Sequence, residues 1–250
     1  MSDQVPFQHP ETPLIPALTP GKFRTTSSFA KARDNLKGFK RVIIGIVLIA
    51  VAITIGLEFV AASMFGVTLV EMQDPLSGMQ REATLVASLI SLLVVPLVTS
   101  TGIGSALQRT AGQHVRLGHA ALYLKYAPAV FFYTVFWEIA STLAALISFE
   151  LGLVIRIVVS VLGSFVVCFI IDQKMNPLAA FTASARLVVS NFGQMIVMYM
   201  YIIVLILIGV LTLGIGLIWV SPLLVLMVSH QYGQANGLRS ATEYLANAAK

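Results

Sequence analysis

The sequence predicts an all-α integral membrane protein with six transmembrane helices and amphipathic interfacial helices on the cytoplasmic side. Three observations predict it. Of 250 residues, 57% are hydrophobic and 11% charged, against roughly 25% charged in soluble domains. The apolar residues fall in runs of about 20, the length a helix needs to cross a bilayer core. Of the 16 lysines and arginines, all but Arg81 and Arg156 fall on one side of those runs, which the positive-inside rule assigns to the cytoplasm together with both termini.

Residues 1–25 hold half of the ten prolines, at Pro6, Pro10, Pro13, Pro16 and Pro20. That spacing prevents a helix and predicts a flexible cytoplasmic tail. The Pro13–Pro16 spacing matches a PxxP ligand but reads as linker in so proline-rich a stretch. The first forty residues have no apolar core and no cleavage pattern follows the first apolar run, so no cleavable signal peptide is expected.

From Phe29 the pattern turns helical. Phe29, Ala32, Leu36, Phe39 and Ile43 fall within about 80° of one another on a helical wheel. Lys31, Arg33, Asp34, Lys37 and Arg41 fill the remaining arc. The expectation is an interfacial helix, apolar side in the headgroup boundary, running straight into the first span. The spans are predicted at Val42–Ala62, Thr84–Gly104, Ala127–Ser148, Leu151–Ile171, Met195–Leu213 and Ile215–Gln231. Together they form a membrane domain over 26–233, followed by a cytoplasmic tail over 234–250.

Two long inner loops, 105–126 and 172–194, separate these spans, and each is expected to hold an amphipathic helix. In the second, Asn176 is a natural N-cap and Pro177 sits at the first helical position. Each span pair is thus preceded by an amphipathic helix, and Pro96, Gly163 and Pro222 interrupt the second span of each pair. The pattern predicts a pseudo-threefold repeat of amphipathic helix plus hairpin.

The inner loops also carry a resemblance. Ala111-Gly112-Gln113-His114-Val115, then Lys174-Met175, Ala179, Ser184, Arg186-Leu187 and Asn191 resemble the YciC-like family of bacterial inner-membrane proteins. The similarity covers roughly residues 26–233. The family belongs to a broader group of six-helix proteins that includes the membrane domain of some glycerophosphodiester phosphodiesterases. The resemblance implies a bacterial inner-membrane location and a shared fold. It carries over no catalytic residue, because the family's function is largely undefined. The soluble phosphodiesterase domain of the wider group has no counterpart in this chain, nor has the proline-rich tail a counterpart in the family.

Three ionisable residues fall inside the predicted spans: Glu58, Glu138 and Arg156. A charge at a helix centre costs about 2.5–3.5 kcal/mol on insertion scales, so each needs a partner, a wet cavity or a route to the interface. They form the candidate intramembrane polar network. Glu138 and Arg156 flank the tight turn between spans three and four, an axial offset of roughly 8 Å in an antiparallel hairpin. An arginine covers most of that distance if the two faces match, so the expectation is an ion pair or else a protonated Glu138, with Glu58 as the rival partner for Arg156. The candidate cytoplasmic face is a basic collar that includes Lys37, Arg41, Arg116, Lys174 and Arg186, suited to anionic headgroups.

Other signals are weak. His114 and His119 do not share a helix face as a metal pair would. The Gly102/Gly104 and Gly214/Gly216 pairs follow no strand. Ser105 has no histidine–acid partner nearby in sequence, and Cys168 is a lone thiol in an apolar run. The net charge of +5 flanks apolar runs and forms no basic domain for nucleic acid. The sequence therefore points to a non-enzymatic, cofactor-free protein that binds lipids or a membrane-protein partner in envelope homeostasis. The alternative is a small-solute or ion transporter using Glu138 and Arg156.

Overall fold

A computed structural model describes residues 21–65, 79–212 and 216–238, and among them every regular element is helical. The first helix, α1 (Thr25–Phe65), joins the predicted amphipathic segment to the first span. The join is not straight. Lys37 is extended and Gly38 has φ +83°, a conformation that glycine adopts without steric cost. The carbonyls released by this kink are satisfied from outside the helix: Arg109 Nε donates to the Asn35 carbonyl and its Nη2 to the Lys37 carbonyl, both at 3.2 Å.

The apolar face of the amphipathic segment also departs from expectation. Ala32 and Phe39 are fully buried within the protein, and the Phe29 ring lies 5.0 Å from that of Tyr201. This face packs on other helices, and only the basic side is left exposed.

Then come α2 (Met79–Thr110), the short α3 (Leu117–Ala120) continued by a 3-10 turn (Ala121–Tyr126), and α4 (Ala127–Ile147). Ser148 separates α4 from α5 (Phe149–Leu162) and caps the latter by accepting from the Leu151 amide at 3.1 Å. The predicted fourth span breaks at residues 163–165 and resumes as α6 (Val166–Gln173). One hydroxyl closes the break: Ser184 Oγ accepts from the Phe165 amide at 3.1 Å and donates to the Leu162 carbonyl at 2.6 Å. Backbone groups freed in an apolar region need such partners.

The chain continues through α7 (Pro177–Ser190), α8 (Phe192–Leu211) and α9 (Leu217–Asn236). As expected, Asn176 caps α7, accepting from the Ala179 amide at 2.8 Å.

Five helical segments among the described residues are long and apolar enough to cross a membrane: Thr25–Val60, Leu89–Thr110, Leu117–Ile147, Phe149–Gln173 and Phe192–Leu211. The counterpart of the predicted sixth span, α9, is not among them. It packs against α1 and α2, with Leu226, Met227, Ser229, Gln231 and Tyr232 fully buried. Its polar last turns sit inside protein, which explains why lipid-like hydropathy is not needed there.

The three predicted repeat units do not share local structure. One begins with a kinked continuation of the same helix, one with a single turn and a 3-10 segment, one with a separate helix. Pro96 and Pro222 are accommodated within unbroken helices, whereas Gly163 lies at a break.

The core occupies the end of the molecule that carries both long loops, hereafter the loop end. Phe39, Leu107, Tyr123, Phe165, Phe169, Leu187, Met195 and Tyr232 meet there. α6 is apolar nearly all round and almost entirely buried, as expected for a helix enclosed by others. Away from this end the helices carry exposed apolar side chains, such as Phe59, Leu146, Phe149 and Leu211.

Candidate functional site

The Glu138–Arg156 pair is present: Arg156 Nη2 donates to Glu138 Oε1. Both side chains face outward, 53% and 59% exposed, so the pair is displayed on the α4–α5 hairpin rather than enclosed in the bundle. Glu58 does not join it. It lies on an exposed stretch of α1 and makes no ion pair among the described residues. The three-residue network thus reduces to a two-residue bridge.

Lys37, Arg41, Arg116, Lys174 and Arg186 are all exposed. They share the loop end with Lys22, Arg24, Lys31, Arg33 and Lys125, which are exposed too. Among the described residues, the exposed acid at this end is Asp34, 3.8 Å from Arg33.

Beneath these exposed residues lies a layer of polar contacts that sequence reasoning missed. Asn191 Nδ2 donates to the Gly21 carbonyl at 3.0 Å, and its Oδ1 accepts from the Phe23 amide at 3.3 Å. Gln194 Oε1 accepts from the Thr25 amide at 3.0 Å, while Thr25 Oγ1 donates to the Gln194 carbonyl at 2.8 Å. Gln231 Nε2 donates to Thr25 Oγ1 at 3.2 Å. Residues 21–25, assigned to a loose tail, are therefore held against α8 and α9, with Phe23 buried. The remainder of that tail, 1–20, and residues 239–250 lie outside the described residues.

Two further pairs complete the layer. Asn35 Nδ2 meets His230 Nε2 at 3.0 Å. Tyr232 donates to Asp172 Oδ2 at 2.9 Å and accepts from Gln173 Nε2 at 3.1 Å. Tyr232 lies just beyond the predicted end of the sixth span at Gln231. Burial and then the adjacent Asp172 carboxylate raise its phenol above the ordinary value, so it remains a donor at neutral pH. The sequence signal was a run of Ser, His, Gln, Tyr and Asn at the end of an apolar stretch, which also describes the wet end of any span.

Among the described residues no three His, Cys, Asp or Glu gather as a metal site would require. Asp172 accepts from Tyr232 and His230 meets Asn35, and Cys168 is buried. Ser105 Oγ is buried without a hydrogen-bond partner, so it has no base to activate it.

An open groove of about 750 Å³ lies between α4 and α7. Phe132, Tyr133, Phe136 and Trp137 form its α4 wall; Leu178 and Phe181 belong to the α7 wall. The Phe181 ring lies 4.6 Å from Trp137 and 6.3 Å from Tyr133. A smaller cleft of about 150 Å³, lined in part by Arg186 and Asn236, shares Ala179 and Thr182 with the groove. Comparison with known proteins finds no family model, no curated protein and no solved structure that matches this chain.

Proposed function

We propose that this chain is a non-enzymatic protein of the bacterial inner membrane that acts by binding. Both termini and the loop end lie in the cytoplasm, and the loop end engages anionic headgroups or a membrane-protein partner bearing acidic groups. Membership of the YciC-like family and a role in envelope homeostasis are part of the same proposal. The observation that carries it is the exposed basic surface over a hydrogen-bonded polar layer, with Asp34 as the exposed acid among the described residues. Each basic residue near an anionic membrane surface contributes about 1 kcal/mol, so the cluster would hold such lipids without a specific pocket.

Purification in native membrane discs tests this directly. Anionic phospholipid should be enriched around the protein relative to the bulk membrane, and replacing Lys37, Arg41, Arg116 and Arg186 together by Gln should remove the enrichment. Enrichment that survives the fourfold variant rejects the reading. Reporter fusions after Gln113 and Gln173 should give cytoplasmic signals, and one after Glu150 a periplasmic signal; the reverse pattern rejects the orientation.

A second reading, a small-solute or ion transporter, is favoured by the break at residues 163–165 and by the Glu138–Arg156 pair. Broken helices and intramembrane charges mark transport paths. Proton-tight liposomes containing the protein separate the two, since binding alone leaves an imposed pH gradient intact.

A further inference from the structure

The groove between α4 and α7 has a chemistry of its own. Its walls are mainly aromatic and aliphatic, and two of the polar side chains along it are engaged with the backbone of α7. Asn176 Oδ1 accepts from the Ala179 amide, and Thr182 Oγ1 donates to the Ala179 carbonyl. A peptide laid there would bring amides and carbonyls to a surface that offers them few partners, at a cost for each. An acyl chain brings none. One wall, α4, belongs to a segment long and apolar enough to cross a membrane, which would give an acyl chain of the surrounding bilayer access to it.

Arg186 is placed to add a headgroup. It stands one turn beyond Thr182 on α7, lines the cleft that adjoins the groove, and makes no ion pair among the described residues. We propose that this is a seat for one anionic phospholipid, with an acyl chain along the aromatic groove and the phosphate against the Arg186 guanidinium. The proposal rests on the lipid-binding reading above and gives it a defined place. A guanidinium matches a phosphate through paired N–H donors, and the groove's volume lies within the range of sites that hold single small ligands.

The two tryptophans of the chain supply the test. Trp137 lines the groove, and Trp219 lies on α9 with Lys40 Nζ over its ring. In a Trp219→Phe variant, Trp137 is the sole fluorophore. Discs of phosphatidylcholine would contain a small fraction of either phosphatidylglycerol or phosphatidylcholine with brominated acyl chains. At equal fraction, brominated phosphatidylglycerol should quench Trp137 about fivefold more effectively, the ratio corresponding to about 1 kcal/mol for one basic residue. Adding Arg186→Gln should bring the two lipids level, and Arg186→Lys should keep part of the preference. In a Trp137→Phe variant, Trp219 reports the lipid beside Lys40, and whatever preference it shows should be unchanged by Arg186→Gln.

Equal quenching of Trp137 by both lipids, or a preference that survives Arg186→Gln, overturns the seat. Arg186 is exposed, so its replacement leaves the fold in place, which the circular dichroism spectrum checks. Total co-purified lipid separates the two levels of the argument. Anionic enrichment together with an indifferent Trp137 rejects the seat and keeps the general reading; no enrichment and an indifferent Trp137 reject both.

Discussion

The loop end and the opposite end of the same helices are built differently. Within the Phe149–Gln173 segment, Phe165 is fully buried and Phe149 is 74% exposed. Within α1, Phe39 is buried and Phe59 is 74% exposed. Composition does not separate the two ends, since both are rich in Phe, Ile, Leu and Val. What separates them is the presence of partners that lipid cannot replace: hydrogen bonds to backbone, close ring contacts and buried amides. Lipid tails are as apolar as leucine, so apolar match alone gives helices no reason to join. The loop end is fixed because Asn191, Gln194, Ser184 and Arg109 bind particular backbone groups.

The largest contrast is expected from matched truncations. Phe165→Ala should cost about 3 kcal/mol, the low end for a buried phenylalanine because lipid rather than water solvates the separated helices. Phe149→Ala should change stability by less than about 0.5 kcal/mol. Unfolding by denaturant in mixed micelles measures both, and equal losses would erase the distinction between the ends.

Glycines offer a second matched pair. A Cβ on Gly104 would run into the Tyr123 ring, whereas one on Gly56 meets nothing within 4 Å. Gly104→Ala should lose about 1–3 kcal/mol through overpacking. Gly56→Ala should be neutral or slightly stabilising, as removing a helix-interior glycine usually is. The same unfolding assay ranks them.

The broken helix sharpens the point. Ser184→Ala leaves a buried amide and a buried carbonyl without their partner, at a cost of about 1–3 kcal/mol. Faster hydrogen exchange at the Phe165 amide should accompany it. Ser160→Ala, on the exposed side of α5, should alter neither quantity.

The smallest effect should come from the displayed ion pair. In detergent, where water reaches the hairpin, the coupling between Glu138→Gln and Arg156→Leu should be no more than about 1 kcal/mol. In a bilayer it should grow, because an unpaired charge there has poorer solvation. A coupling that is the same in both media would show that the pair never meets hydrocarbon.

Much of the architecture was legible because it follows from periodicity and length. The α4 bounds, the turn between α4 and α5, the Asn176–Pro177 start of α7 and the Glu138–Arg156 pair all depend on local spacing along one helix or one tight turn. The polar layer was not legible for the opposite reason. Thr25 and Gln231 meet across 206 positions of chain, and nothing local marks a glutamine as buried. The same holds for the Lys37–Gly38 kink, whose stabilising partner is Arg109, and for Phe29 and Phe39, whose stripe fits a lipid surface as well as a protein one. Periodicity states that one face is apolar; it does not state what covers it.

The Ser184 bridge has a consequence for biosynthesis. The residue that closes the break lies 22 positions after Leu162, so α5 and α6 leave the ribosome before their joint can be completed. During that interval the Leu162 carbonyl and the Phe165 amide must be met by water or by the insertion machinery, and the two half-helices are free to swivel. Docking of α7 ends the interval by replacing those temporary partners with one hydroxyl. The membrane segment is thus finished by the loop that follows it, and a chain truncated before Ser184 would carry a span without its hinge pin.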